Sequence, residues 1–155
     1  MSTAIRKITR RDCARLSAIH RQCFVDNWSA ESFRALMESP GVFGFLAKSA
    51  TAAEWQSLAL ARAVTDDAEI FTLATLPVAR RSGLAFAVLG AVMGQARRLG
   101  AARLFLEVDQ RNEAALRLYA RAGFSVVGHR YGYYSAPCGK PADALTLSVK
   151  LPPGP

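Results

Sequence analysis

"TLPVARRSGLAFAVLGAVMGQARRLG", residues 75–100, joins two kinds of structure. Pro77 closes what comes before, and from Gly83 the apolar residues Leu84, Ala87, Val88, Ala91, Val92 and Leu99 recur at helical spacing until Gly100 stops the run. The N-terminus of such a helix presents four backbone N–H groups without intrahelical acceptors and a partial positive charge, which favours an anion such as a phosphate. Gly83 has no Cβ to keep a bulky oxyanion off the backbone, Ala85 is nearly as small, and Arg80 and Arg81 add positive charge beside them. The stretch therefore predicts a phosphate cradle. It is not a Walker loop, because no Gly-Lys-Ser/Thr follows, and the three spaced glycines of a dinucleotide fingerprint are missing.

On its N-terminal side "AEIFTLAT" (68–75) reads as a mostly buried strand, preceded by "VFGFLAK" (42–48) and "WQSLALARAV" (55–64) as strands around a turn of small polar residues. Two helices come first. "ITRRDCARLSAIHRQCF" (8–24) has Thr9 as N-cap, Asp12 three residues on, and Leu16, Ile19, His20, Cys23 and Phe24 along one side. Ser29 opens the shorter "AESFRALMES" (30–39), which Pro40 and Gly41 close. On the C-terminal side "RLFLEVD" (103–109) returns to a strand, Asn112 caps "EAALRLYARA" (113–122), and Gly123 ends it as a left-handed C-cap. "FSVVGHRYGYY" (124–134) and "ALTLSVKL" (144–151) complete the order α-α-β-β-β-α-β-α-β-β. This predicts an α/β protein: a mixed sheet flanked by helices, with antiparallel early strands and a strand–helix–strand unit in the second half.

With 155 residues, 51% hydrophobic and 21% charged, the chain is expected to form one globular domain over residues 1–151 with a frayed tail at 152–155. No apolar run is long enough for a membrane span and no signal-peptide core is evident, so the expected location is cytoplasmic. Cys13, Cys23 and Cys138 form no CxxC pair and read as packing or incidental thiols. His20 and His129 are tied to no cysteine and give no ligand spacing, so neither a Cys–His nucleophile nor a metal is expected. The formal charge of +8 suits an anionic partner. The basic residues are scattered, however, through Arg6, Arg10, Arg11, Arg15, Arg21, Arg62, Arg97, Arg98 and Arg121, and no nucleic-acid-binding stripe is expected.

Arg80-Arg81-Ser82-Gly83-Leu84-Ala85 resembles the (Q/R)xxGx(G/A) pyrophosphate loop of the GCN5-related N-acetyltransferases, preceded as in that family by a strand ending "FTLATLP". The likeness runs through nearly the whole chain. "NWSAESF" (27–33), "LFLEVDQRNEAALRLYARAGF" (104–124) and "HRYGYYSAP…ADALTLSV" (129–149) resemble the ribosomal-protein alanine N-acetyltransferase branch. The resemblance implies a mixed sheet splayed in the middle and flanked by about four helices, with acetyl-coenzyme A as cosubstrate and no metal. It implies that the loop amides, through Phe86, hold the pyrophosphate, that Leu73, Ala74 and Thr75 pair with the pantetheine arm, and that Asn112 binds the coenzyme. Three positions depart from the branch. Ala85 replaces the usual second glycine, Phe86 stands where a basic residue is common, and Gly132 stands where an asparagine is usual.

Acetyl transfer to an amine requires a neutral nucleophile, whereas an N-terminal α-amine has a pKa of roughly 7.7–8.0 and needs a base at neutral pH. Glu107, at a strand end among Phe105, Leu106 and Val108, is the position that is the base in the resembling family, and its apolar neighbours are expected to desolvate it in part. Tyr119, seven residues after Asn112 and so near one face of the helix, corresponds to the tyrosine that protonates the departing thiolate. The same resemblance places the acceptor, a protein or peptide N-terminus such as that of a ribosomal protein starting with Ala, between Phe24, Trp28 and Tyr134, with Tyr133 close by. Phe33 reads as packing. A small-molecule amine as acceptor and a non-catalytic acetyl-coenzyme A-binding module are the competing expectations, and the joint presence of Glu107 and Tyr119 favours an enzyme.

Overall fold

The computed structural model describes residues 2–134 and 142–153; Cys138 and the last two residues of the expected tail lie outside them. The strands are β1 (Thr3–Lys7), β2 (Val42–Ser49), β3 (Ser57–Val64), β4 (Asp67–Thr75), β5 (Arg103–Asp109), β6 (Ser125–Tyr134) and β7 (Ala142–Lys150). The helices are α1 (Cys13–Cys23), α2 (Ala30–Met37), α3 (Leu84–Arg98) and α4 (Glu113–Arg121), and short 3-10 turns precede α1 and α3. The seven strands form one sheet in the order β1-β2-β3-β4-β5-β7-β6, antiparallel everywhere except between β4 and β5. This is the expected mixed sheet with four helices.

The alternation of side chains along each strand divides the core between the two faces. Leu46, Leu58, Leu60 and Ala74 pack with Cys13, Leu16, Ile19 and Phe33 of α1 and α2, which settles Phe33 as a packing residue. On the other face Phe45, Ala47, Ala59, Ala61 and Ile70 meet Leu84, Val88, Leu89, Val92 and Ala96 of α3. The small side chains at 47, 59 and 61 let that helix lie close to the sheet. Leu104, Leu106, Val108 and Leu147 continue this layer toward Tyr119 and Phe124.

The main difference from the sequence reading is an added strand; element ends also shift by a few residues, as at α2, which stops at Met37, and β7, which starts at Ala142. Strand β1 has no sequence signal: it is an edge strand whose residues alternate between exposed and half-buried, so no buried stripe marks it. Strand β3 begins at Ser57 rather than at Trp55.

The joint between β1 and α1 is electrostatic. Asp12 is 1% exposed and accepts both Arg6 guanidinium nitrogens at 2.9 and 2.7 Å, Arg15 Nη1 at 2.7 Å and the Thr9 N–H at 2.8 Å. The Arg6 hydrogen bonds push the carboxyl from 3.8 down to about 2, against the opposing effect of burial. A depressed native pKa contributes stability that is complete above the unfolded value and is lost as pH falls through the folded one. Resistance to urea unfolding should therefore fall steeply from about pH 4 to pH 2. In Asp12→Asn that acid limb should flatten, with stability at pH 6 lower by about 2 kcal/mol; superimposable acid limbs would show that the carboxylate contributes nothing.

Candidate active site

Strands β4 and β5 pair in parallel only at Asp67↔Arg103, Ala68↔Leu104 and Glu69↔Phe105. Beyond Glu69 and Phe105 they separate, and the sheet opens toward the C-terminal ends of both strands. Strand β4 stays bound to β3 along its other side, with Ala59↔Leu73, Leu58↔Ala74 and Ser57↔Thr75 in register. The Leu76 N–H donates to the Gln56 carbonyl at 2.8 Å, which sets the antiparallel alternation. Ala74 therefore turns its backbone groups toward β3, while Leu73 and Thr75 turn theirs into the opening. This corrects the expectation that all three pair with an arm in the cleft. The Thr75 carbonyl already accepts Arg80 Nε at 3.2 Å and Cys23 Sγ at 3.3 Å, so Leu73 is the residue that offers both backbone groups.

The loop after β4 carries the predicted cradle. Arg81 and Gly83 are left-handed, with φ of 62° and 83°, and the first helical bond runs from the Ala87 N–H to the Gly83 carbonyl at 3.0 Å. No side chain caps α3. Among the described residues, the six consecutive N–H groups from Arg81 to Phe86 have no hydrogen-bond acceptor. A Cβ added at Gly83 would meet no atom within 4 Å, so the space beside this residue is open. Ser82 Oγ donates to the Ala79 carbonyl, which fixes the loop from below. Arg81 is exposed, whereas Arg80 is committed in part to Thr75. The Phe86 ring lies under the Arg121 guanidinium of α4, 4.2 Å from its carbon to the ring centre.

Across the opening, Glu107 stands two residues past the last β4–β5 pair. It is not desolvated as expected: its side chain is 32% exposed, and Arg130 Nη1 of β6 donates to its two oxygens at 2.9 and 3.3 Å. Strand alternation turns Glu107 away from Leu106 and Val108, whose side chains enter the core on the opposite face. Asn112 accepts the Ala115 N–H at 3.1 Å as the N-cap of α4, leaving its carboxamide nitrogen free to donate outward. Tyr119 is 7% exposed, with its ring 5.5 Å from that of Phe124.

The loop between α1 and α2 borders the opening on the other face. Phe24 is 39% exposed and Trp28 half-buried; the Trp28 ring stacks on the buried His20 with centroids 4.8 Å apart, and the Phe24 ring lies tilted against it at 4.4 Å. Tyr134 ends β6, where its backbone pairs with Ala142 beyond a break in register after Arg130. Gly132, in that break, has a φ of 63°, a left-handed position that glycine and asparagine both tolerate. Its N–H donates to Asp143 at 2.8 Å, and His129 bonds the other Asp143 oxygen at 2.6 Å.

Sequence reasoning missed Arg130 as the partner of Glu107, and it missed the attachment of Cys23 and Arg80 to one carbonyl. Arg130 carries a weak signal, two residues before Gly132 on a strand of period two. Contacts that join elements 23 or 52 residues apart have no local signature. Among the described residues no three His, Cys, Asp or Glu side chains group as metal ligands, and no helix is long and apolar enough to cross a membrane.

The acetyltransferase (GNAT) family profile matches residues 13–124. The ribosomal protein bS18-alanine N-acetyltransferase of Haemophilus influenzae is 30% identical over 157 residues, covering 95% of this chain and 98% of that one. Among solved structures, the Escherichia coli ribosomal-protein alanine N-acetyltransferase superposes with a TM-score of 0.89 at 25% identity, over 99% of this chain and 97% of that one. Arabidopsis thaliana NAA60 in complex with acetyl-CoA shares the fold, with a TM-score of 0.82 at 21% identity over 97% and 99% of the two chains.

Cys23 is the thiol at this opening, and burial pushes its pKa up, offset only in part by the Arg80 hydrogen bond. Since the thiolate is the reactive form, Cys23 should be alkylated slowly at neutral pH. In a Cys13→Ala, Cys138→Ser background, iodoacetamide labelling followed by mass should rise with pH through a midpoint above that of free cysteine. Rapid labelling at pH 7 would show an exposed, activated thiol instead.

Proposed function

The chain belongs to the acetyltransferase (GNAT) family, and from that premise we propose that this N-acetyltransferase modifies the N-terminal α-amine of a protein, with a ribosomal protein starting with alanine as the acceptor. The observation that carries the proposal is the row of six acceptor-free amides from Arg81 to Phe86 beside the open edge of β4. A diphosphate fits such a row by charge and by hydrogen bonding, since the amides and the start of α3 are both positive. Leu73, with both backbone groups turned into the opening, supplies a strand edge for the amide-bearing arm of acetyl-coenzyme A. Asn112 can donate from its carboxamide nitrogen. When bound, the coenzyme supplies the acetyl group as an activated thioester. The acceptor assignment rests on likeness to the bS18-alanine enzymes over nearly the full length of both chains.

In this account the acceptor amine attacks the thioester carbon directly, a C–N bond forms, the C–S bond breaks, and no enzyme-bound acyl group arises. Glu107 takes the proton that the amine must lose, directly or through a water. Tyr119 gives its hydroxyl proton to the departing sulfur. Arg130 holds the Glu107 carboxylate on the open face of the sheet, where an amine entering past Phe24, Trp28 and Tyr134 can reach it. The acceptor assignment is tested by intact mass after incubation with acetyl-coenzyme A. An Ala-starting peptide should gain one acetyl group faster than the same peptide with a blocked N-terminus and an internal lysine, and faster than spermidine; preference for spermidine would overturn the peptide reading.

Two substitutions at Gly83 separate charge from backbone strain. Gly83→Ala meets no protein atom but gives up the glycine advantage at a left-handed φ, about 1 kcal/mol, and puts a methyl group into the open space of the loop, so acetyl-coenzyme A affinity by calorimetry should fall modestly. Gly83→Asp adds a negative charge to the cradle and should abolish binding. Equal affinities for both variants would remove the loop from the account.

Glu107→Gln should keep coenzyme affinity and lower turnover by roughly 10²–10⁴-fold, the range for losing a general base. Its rate should climb with pH as the free amine accumulates. Tyr119→Phe should slow turnover without that change in pH dependence. A Glu107→Gln variant with wild-type rate and profile would make Glu107 a purely structural partner of Arg130.

A further inference from the structure

His20 uses both ring nitrogens although only 2% of the residue is exposed. Its Nδ1 accepts the Trp28 N–H at 3.0 Å, which leaves Nε2 carrying the hydrogen toward Thr72 Oγ1 at 3.1 Å. One turn earlier on α1, Ser17 Oγ donates to the Trp28 carbonyl at 2.8 Å. Both backbone groups of Trp28 are thus clamped by side chains of a single helical turn. Thr72 immediately precedes Leu73 on the strand that borders the opening. The residues between Phe24 and Trp28, namely Val25, Asp26 and Asn27, are all exposed. The loop is therefore pinned to the body at its ends, while its exposed middle is tied only to itself, Asn27 Nδ2 donating to the Phe24 and Val25 carbonyls at 3.4 and 3.2 Å.

We propose that His20 is a positioning residue for the acceptor: it splices the Phe24–Trp28 loop to β4, setting where the entering chain meets the acetyl group while leaving coenzyme binding alone. This rests on the reading above that Phe24 and Trp28 border the acceptor path. Any buried histidine needs partners for its ring nitrogens; here, beside the rings of Phe24, Trp28 and Phe33, with the Phe33 centroid 5.5 Å away, those partners are the loop backbone and β4. Among the described residues, the two ring nitrogens are the hydrogen-bonded link from the loop backbone to β4.

The splice also depends on protonation. A proton on Nδ1 turns that acceptor into a donor facing the Trp28 N–H, so the clamp cannot survive a charged ring. The ring is faced by Phe24 and Trp28 from the loop, Phe33 from α2 and Thr72 from β4, none of them charged. On α1 itself Arg21 is exposed and the Cys23 thiol is turned to Thr75. Burial lowers the His20 pKa from 6.5, so the neutral, clamping form holds at neutral pH and is lost only as pH falls through that lowered value.

The test compares the wild type with His20→Phe, His20→Gln and Thr72→Val, by steady-state kinetics on an Ala-starting peptide and by calorimetry with acetyl-coenzyme A. Phenylalanine keeps an aromatic ring but no nitrogen, and KM for the peptide should rise about tenfold, the equivalent of losing one buried hydrogen bond. Coenzyme Kd should stay within about twofold. Glutamine, whose amide can accept from Trp28 and donate to Thr72, should restore most of the loss, and Thr72→Val should show a smaller change in the same direction. In a Trp55→Phe background, Trp28 fluorescence should titrate below pH 6.5 in the wild type and stay flat in His20→Phe. Unchanged peptide KM in His20→Phe, a parallel loss of coenzyme affinity, or no recovery with glutamine would each overturn the proposal. A wild-type enzyme that leaves the peptide unmodified overturns the acceptor reading instead, and the Trp28 titration still decides whether His20 holds the loop.

Discussion

Strands β4 and β5 pair through three residues and then part, and the rest of the site follows from that interruption. A strand in the middle of a sheet normally satisfies its backbone on both sides, so a parted strand leaves N–H and C=O groups that must find other partners. The protein covers one of them itself: the Thr75 carbonyl takes Arg80 and Cys23. Leu73 is left to offer its groups to the opening. The chain then turns through two left-handed residues into α3, whose first amides face the same space. An unpaired strand edge and an unpaired helix start, each costly when buried and empty, lie side by side where a long ligand with both amides and phosphates would satisfy both.

Opposing demands shape the other half of the opening. As the proposed base, Glu107 would have to stay accessible to a water or an amine, and the open face of β5 keeps it so, yet an exposed carboxylate alone has no fixed orientation. The Arg130 ion pair supplies one. Exposed pairs contribute little to stability, on the order of 0–1 kcal/mol, so geometry is the larger effect of this contact. The α1–α2 loop meets the same problem with a different solution, since its exposed middle is held by buried bonds at its ends.

Much of the fold was legible because its signals are local. Gly83 and Gly100 bracket α3, Asn112 and Gly123 bracket α4, and each buried strand carries an apolar run. The missing strand, β1, carries none, being half-exposed at the sheet edge. The opening between β4 and β5 is invisible to periodicity, because a strand that pairs on one side and a strand that pairs on both bury their side chains alike; it entered only through the resemblance to a family. Backbone direction was equally hidden, and so Ala74 was grouped with Leu73 although register turns it to β3. The loop amides were anticipated from the helix start, whereas Arg130, His20 and Thr72 were not tied to the site. Their contacts span 23 and 52 residues, distances over which a single sequence carries no record of proximity.

The central claim is that the parted edge of β4 and the acceptor-free amides of the following loop form one binding surface for acetyl-coenzyme A. Amide-resolved NMR titration of the ¹⁵N-labelled protein reads those groups individually. On adding acetyl-coenzyme A, the amides of Arg81 to Phe86 and of Leu73 and Thr75 should shift together at one saturation point, while Ala74, bonded to β3, moves least among its neighbours. Saturable binding that shifts amides elsewhere and leaves 81–86 in place would contradict the account.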